Sequence, residues 1–400
     1  MNNNSAGRIS SVEGNGNGFH TQLFPIVFLT VLFSLNFTSR IILSPLAPAI
    51  ESDLGLTHGE MGTFFFMITV GYFVSLLGSG FVSACFTHRV TITASAVVLG
   101  IVLICLSCAE NMWSLVAGML AIGLAAGIYL PAGIATITHL VDARQWGKAL
   151  AIHEMAPSVA FVAAPLIAEG LMLWFPWRGV MALIGIGSTA IGILFALFVR
   201  AGDIRGERPN FASLIPIIRT PSFWVMVVLF SLGISSTIGV YAMMPIYLFA
   251  EHGMTRAAAN TLVSVSRMAT LAIVFIGGWA NDRFGPMRTM TVAFAITALT
   301  TILIGLVPAA WIAPVVILQP MAAVCFFPAG FFVLSLIVPP QARNLAISLA
   351  LPVGFMVGAG LVPTGIGIMG DAGLFPWGYV ILGICIAAGV VLARTLRIPE

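Results

Sequence analysis

KALAIHEMAP, residues 148–157, and RNLAISLALP, residues 343–352, each open on a basic residue, share Leu-Ala-Ile and close on a proline. Other stretches answer each other in the same order. LPAGI at 130–134 matches FPAGF at 327–331, GLTHGEMG at 55–62 matches GMTRAAAN at 253–260, and Pro45 and Glu51 match Pro245 and Glu251. The offset is nearly constant and close to half of the 400-residue chain. Echoes kept in order at one offset mark an internal duplication. The fold is therefore expected to consist of two like halves.

The solvent of those halves follows from composition. The chain is 59% hydrophobic and 8% charged, whereas a soluble domain carries about 25% charged residues. Most of its surface must face something other than water. The apolar runs are long and continuous, without alternation of period two, which favours helices over a barrel. A membrane-crossing helix needs roughly 20 apolar residues. Charge, Gly and Pro divide the chain into twelve such spans: 22–48, 60–83, 90–109, 113–137, 148–171, 178–199, 221–248, 257–280, 289–308, 311–338, 343–367 and 374–394. The turn between the ninth and tenth is expected in VPAAWIAP, 307–314.

The expected fold class is an all-α integral membrane protein, with twelve transmembrane helices in two six-helix bundles related by pseudo-two-fold symmetry. Residues 1–20, rich in Asn, Ser and Gly, read as a disordered cytoplasmic tail. Residues 21–199 form the N-terminal bundle, 200–220 a cytoplasmic linker, 221–394 the C-terminal bundle and 395–400 a short cytoplasmic tail. With the N-terminus inside, thirteen of the 17 Lys and Arg residues fall in cytoplasmic segments and only Arg178 and Arg256 outside. This positive-inside bias places both termini in the cytoplasm of a bacterial-type inner membrane. Parallel six-span repeats are the geometry of an alternating-access carrier, with its site between the halves.

Several classes are disfavoured. No Lys/Arg cluster suits nucleic acid. Of five cysteines, Cys105 and Cys108 have C-x-x-C spacing but no matching ligand pair, so neither a metal nor a cofactor is expected. No ATPase motif and no water-accessible nucleophile is found, which argues against an enzyme. A membrane sensor with a carrier fold would need an added signalling domain.

GGWANDRFG, residues 277–285, contains Gly278, Asp282, Arg283 and Gly285 in the pattern G-x-x-x-D-R-x-G. With the twelve spans and the duplication, this chain resembles the major facilitator superfamily over nearly all of its length after residue 20. The resemblance implies a loop signature after spans two and eight, whose Asp–Arg network latches the cytoplasmic ends of the bundles. Asp282 and Arg283 are thus candidates for gating. The first copy, GFVSACFTHR at 80–89, keeps Gly80 and Arg89 but has Ala84 and Cys85 where Asp and Arg stand in the signature. In span four, Gly123, Gly127 and Pro131 fit a run found in proton-driven drug exporters of the superfamily, but Met119 stands where those have arginine. Ala164-Pro165 replaces Gly-Pro in span five. Both departures weaken a drug–proton antiporter reading.

The duplication also shows where one half has a charge and the other none. Arg267 aligns with Thr69, Arg40 with Val240, and His153 and Glu154 with Ser348 and Leu349. Such residues are not required to build a bundle twice. Arg267, in SVSRMAT at 264–270, lies near mid-membrane, where a charge costs roughly 2.5–3.5 kcal/mol to insert. It needs an anion, a polar network or water. Two readings stand: a structural pairing with Glu154 or backbone carbonyls, or a cargo anion held jointly with Arg40. Tyr72, Tyr129 and Tyr241 are further candidates for the cavity wall. His153 and Glu154 are candidates for proton coupling, for a static network with Lys148 or an inner gate, or for direct contact with the substrate. Glu169 is expected to pair with Arg178 or meet lipid headgroups.

The expected function is a secondary active transporter of a small organic anion, most simply a carboxylate, by symport with protons or by exchange with another anion. A monomer surrounded by membrane lipids suffices. Export of drugs or metabolites is the alternative.

Overall fold

The computed structural model describes residues 19–206, 214–338 and 343–396. Most of the two expected tails, and part of the expected linker, lie outside these residues. Within them, twelve helices are long and apolar enough to cross a membrane. Spans 1 to 6 are Gln22–Leu54, His58–Cys85, His88–Ser107, Met112–Leu140, Trp146–Met172 and Trp177–Phe198. Spans 7 to 12 are Pro221–Ala250, Arg256–Phe284, Pro286–Leu306, Ala309–Ile337, Leu345–Asp371 and Phe375–Thr395. An even number of crossings puts the start of span 1 and the end of span 12 on one face, here called the terminal face; the other is the distal face.

Polar caps set several starts. Thr57 and Glu60 form a reciprocal capping box at span 2, and Asn111 and Thr255 accept from Ser114 and Ala258 at spans 4 and 8. Each side chain satisfies an amide that the first helical turn leaves unpaired. The expected turn in 307–314 occupies Val307 and Pro308, between spans 9 and 10. Span 1 runs on past its expected end at 48, because Glu51 and Asp53 still sit in the helix at a polar boundary.

The halves pack alike. Span 3 lies along span 6 as span 9 lies along span 12, span 2 along 4 as 8 along 10, and span 1 along 5 as 7 along 11. The bundles meet through spans 2 and 11 and through spans 5 and 8, which exchange under the same symmetry. The prolines leave matching marks. Span 1 breaks at Ile42, span 4 at Ile128 and span 10 at Cys325, each three residues before a proline. A proline inside a helix removes one amide and clashes with the carbonyl four residues back. Spans 7 and 11 instead carry π-helical turns at Ser235–Gly239 and Met356–Leu361, which the sequence reading did not anticipate.

Hydrogen bonds between the bundles cluster toward the distal face. Asp371 accepts from the amides of His58 and Gly59 at 2.7 and 2.9 Å. Glu169 accepts from Arg256 and from Asn260. Asn260 also donates to the Pro45 carbonyl, Ser264 to Val162, Thr364 to Gly62 and Ser44 to Tyr241. This corrects the expected partner of Glu169. Span 5 turns that carboxylate toward the opposite bundle, while Arg178 bonds Asp53 and the Ala109 carbonyl within its own.

The eroded signature loop is filled differently. Linker residues 202–206 run alongside it, with Thr87 and Arg205 bridged as in an antiparallel pair. His88 and Arg89 donate their amides to Ile204 and Gly202, and Gly206 donates to Ser83. Asp203 reaches Arg89 at 3.2 Å. The linker therefore supplies a carboxylate next to the loop that lacks its own.

Candidate functional site

Between the bundles, on the terminal side of the distal contacts, lies a cavity of about 340 Å³. Arg40, Tyr72, Glu154 and Arg267 all line it. The structure thus gathers residues from spans 1, 2, 5 and 8 that the sequence had singled out separately. The rest of the wall is chiefly aromatic, with Phe33, Phe37, Phe161, Phe327, Phe331 and Phe355. Pro157, Ser158, Thr237 and Thr270 also line it.

Arg40 sits two residues before the break in span 1. Its guanidinium carbon lies 4.7 Å from the centre of the Phe37 ring and 4.4 Å from that of Tyr72. Arg267 is 5% exposed. Its Nη2 donates to the Thr237 carbonyl at 2.8 Å, and its guanidinium carbon lies 4.8 Å from Phe161 and 5.1 Å from Tyr241. Aromatic faces attract a cation without neutralising it. Among the described ion pairs, neither arginine has a carboxylate within 4.0 Å. The backbone part of the structural reading of Arg267 is therefore observed; the pairing with Glu154 is not.

Glu154 is instead held by its neighbour. His153 is fully buried and stacks on Phe33 with ring centres 4.6 Å apart. Its Nδ1 lies 3.2 Å from Glu154 Oε1, and its Nε2 lies 3.2 Å from the Tyr129 hydroxyl. Tyr129 donates its only hydroxyl proton to the Leu29 carbonyl at 2.6 Å. His153 Nε2 must then be the donor to the tyrosine oxygen. A hydrogen bond between Nδ1 and Oε1 requires a proton on one of the two atoms. Tyr129 itself does not line the cavity; it orients His153 from behind the wall. The Glu154 side chain is 52% exposed, so this contact stands at the cavity edge. No ion pair joins Glu154 to Lys148 among the described residues.

Tyr241 packs beneath Arg267, away from the 340 Å³ cavity, and lines two smaller ones. Asp282 and Arg283 lie exposed at the terminal face, where Asp282 accepts from Asn281. Among the described residues, no hydrogen bond or ion pair joins Asp282 or Arg283 to the opposite bundle. The sequence reading missed Gln319, a fully buried amide in span 10 that donates to the Ser236 carbonyl at 2.7 Å. A lone glutamine among apolar residues and prolines, in VVILQPMAAV, was the available signal.

Comparison with known proteins agrees with this architecture. The family model of the Major Facilitator Superfamily matches residues 29–318 and again 235–400. The chain belongs to the major facilitator superfamily and is a multi-pass membrane protein. The multidrug resistance protein MdtL of Escherichia coli K12 is 24% identical over 249 residues, a match covering 61% of this chain and 63% of MdtL. The match thus spans less than two thirds of that relative. Among solved structures, a bacterial homologue of the human lysosomal transporter Spinster, inward-facing and unoccupied, superposes with a TM-score of 0.76. It is 18% identical and covers 93% of this chain and 95% of its own. A D-xylose–proton symporter gives a TM-score of 0.79 at 15% identity, covering 94% and 98%. At such identities the likeness is one of fold.

Proposed function

We propose that this protein is a secondary active carrier of small molecules whose cargo is an amphipathic organic anion. The observation that carries the reading is one cavity lined by two arginines from opposite bundles, neither paired with a carboxylate among the described residues. An anionic head held between Arg40 and Arg267 draws the halves together, and a guanidinium fork suits a carboxylate or related oxyanion. The phenylalanines refine the expected small carboxylate: a wall this apolar favours cargo with an aromatic or aliphatic body. Tyr72 and Tyr241 contribute by packing on the arginines.

A second reading, export of drugs or metabolites, is favoured by the MdtL similarity and by the same aromatic wall. The two readings meet in a carrier whose cargo is an aromatic or lipophilic acid. The His153–Glu154 pair supplies the coupling. Losing the shared proton leaves a carboxylate facing an imidazole lone pair, so Glu154 turns to the arginines and competes with the cargo anion. Proton binding and anion binding then favour one another. The charge bias argues that the terminal face is cytoplasmic, so a conformation open there exchanges cargo with the cytoplasm.

A thermal-shift panel of aromatic and aliphatic carboxylates, inorganic oxyanions and lipophilic cations tests the cargo class, because a ligand of the folded state raises its melting temperature. Carboxylates with apolar bodies should give the largest shifts, and Arg267→Gln should remove them while leaving folded protein. Stabilisation by cations alone, or a parental response from Arg267→Gln, overturns the anion reading.

A further inference from the structure

Arg267 also lines a second, much smaller pocket of about 10 Å³, together with Tyr241, Ser266 and Gln319. Three buried polar atoms of these residues have no hydrogen-bond partner among the described residues: Arg267 Nε, Tyr241 Oη and Gln319 Oε1. Tyr241 and Gln319 are each 1% exposed, and Arg267 is 5% exposed. Unpaired polar groups this deeply buried are uncommon, because each loses its hydration without replacement.

The π-turn of span 7 fixes their orientation. Its widened turn offers two successive carbonyls to neighbouring spans: Ser236 to Gln319 Nε2 at 2.7 Å and Thr237 to Arg267 Nη2 at 2.8 Å. Gln319 Nε2 also lies 3.3 Å from Thr301 Oγ1. Flipping the amide would set its oxygen against the Ser236 carbonyl, so Oε1 is held as the unpaired acceptor. The residues of the pocket thus carry one unpaired donor (Arg267 Nε), one unpaired acceptor (Gln319 Oε1) and a hydroxyl that does both (Tyr241). A cation is repelled by the guanidinium, and an anion by Oε1. A water molecule satisfies all three groups, and a pocket near 10–15 Å³ is about the least that holds one.

We infer that a single buried water links Arg267, Tyr241 and Gln319, and that Gln319 is the positioning residue that fixes the charge selectivity of the cargo site. Through the π-turn carbonyl and the water, Nη2 and Nε are both committed to the protein. The remaining edge of the guanidinium, carrying Nη1, is left for cargo. Releasing the Nε anchor lets the fork rotate away from the cavity. The selectivity part rests on the proposed anion reading; the water does not.

Two measurements decide the water without any cargo. A density map that resolves ordered solvent should show a peak within hydrogen-bond distance of all three atoms; an empty or apolar pocket overturns the inference. A melting-temperature double-mutant cycle of Gln319→Leu and Arg267→Gln should be non-additive, since both changes break one shared site; additive effects overturn it. Selectivity is read by thermal-shift titration with benzoate and its neutral isostere benzamide. Gln319→Leu should bind benzoate about tenfold more weakly, the loss expected for one hydrogen bond to a charged group, with benzamide unchanged. Gln319→Glu, which sets a carboxylate behind the guanidinium, should abolish the benzoate response and keep that of benzamide. Loss of both responses together, or of neither, removes the positioning role. If the parental protein responds to neither probe, the proposed cargo class fails and the first two measurements still decide the water.

Discussion

At its distal end, span 2 begins with the amides of His58 and Gly59 held by Asp371, a residue of the opposite bundle. At its terminal end, the same helix runs into a loop held by linker residues 202–206, which continue directly from its own bundle. The first arrangement ties the halves together, and the second stiffens one half alone. Spans 5 and 8 repeat the distal pattern through Glu169, Arg256 and Asn260. Opening the distal face must break these charge-assisted bonds and separate helices in close contact, whereas the bonds described at the terminal end of span 2 lie within one bundle. Arg40 and Arg267 stand between the two ends, on the wall of the cavity.

Glycines on span 2 offer the sharpest way to break this contrast. A Cβ on Gly62 would stand 2.6 Å from Thr364 Cα, whereas one on Gly78 meets nothing within 4 Å. Gly62→Ala should therefore wedge the distal contact open at a cost of about 1–3 kcal/mol, typical of overpacking. Paired spin labels across the distal face should then report a longer distance. Gly78→Ala should leave that distance unchanged and raise stability by up to ~1 kcal/mol through helix propensity. An equal response from both variants removes the distinction between the ends.

Charge at the distal latch ranks next. Asp371→Ala leaves two amides of span 2 unpaired and should cost about 1 kcal/mol, the usual price of a lost cap. That is several-fold in the population of the distal-closed conformation, measurable with the same labels. Asp203→Ala, at the linker, removes a pair whose carboxylate is 62% exposed. It should cost ~0.5 kcal/mol or less, visible only as a small melting-temperature shift with no change in the distal distance. A linker variant that moved that distance would show that the two ends are coupled through the first bundle.

The fold was legible because a bilayer leaves few choices. Long apolar runs must be helices, and duplicated prolines and loop signatures give their pairing. The span ends shift by a few residues, since helices continue through polar caps such as Glu51 and Asp53 at the membrane surface. The site was legible where a charge interrupts an apolar run: Arg40, Arg267 and Glu154 share one cavity. It was not legible for neutral residues. Tyr129 has the same composition signal as Tyr72, yet one orients a buried histidine and the other lines the cavity. Gln319 carries no formal charge, so its burial could not be inferred from insertion cost.

By itself, then, the sequence determined the solvent, the number of crossings, the two-fold plan and the presence of two costly cations at depth, because each follows from composition, periodicity or desolvation. Only the tertiary structure decided which partners those cations have and which end is closed. It also set the contacts among His153, Glu154 and Tyr129 and exposed the π-turn carbonyl of Thr237 to Arg267. These depend on distances of a few ångströms between helices far apart in the chain, and on the donor–acceptor matching that such distances enforce.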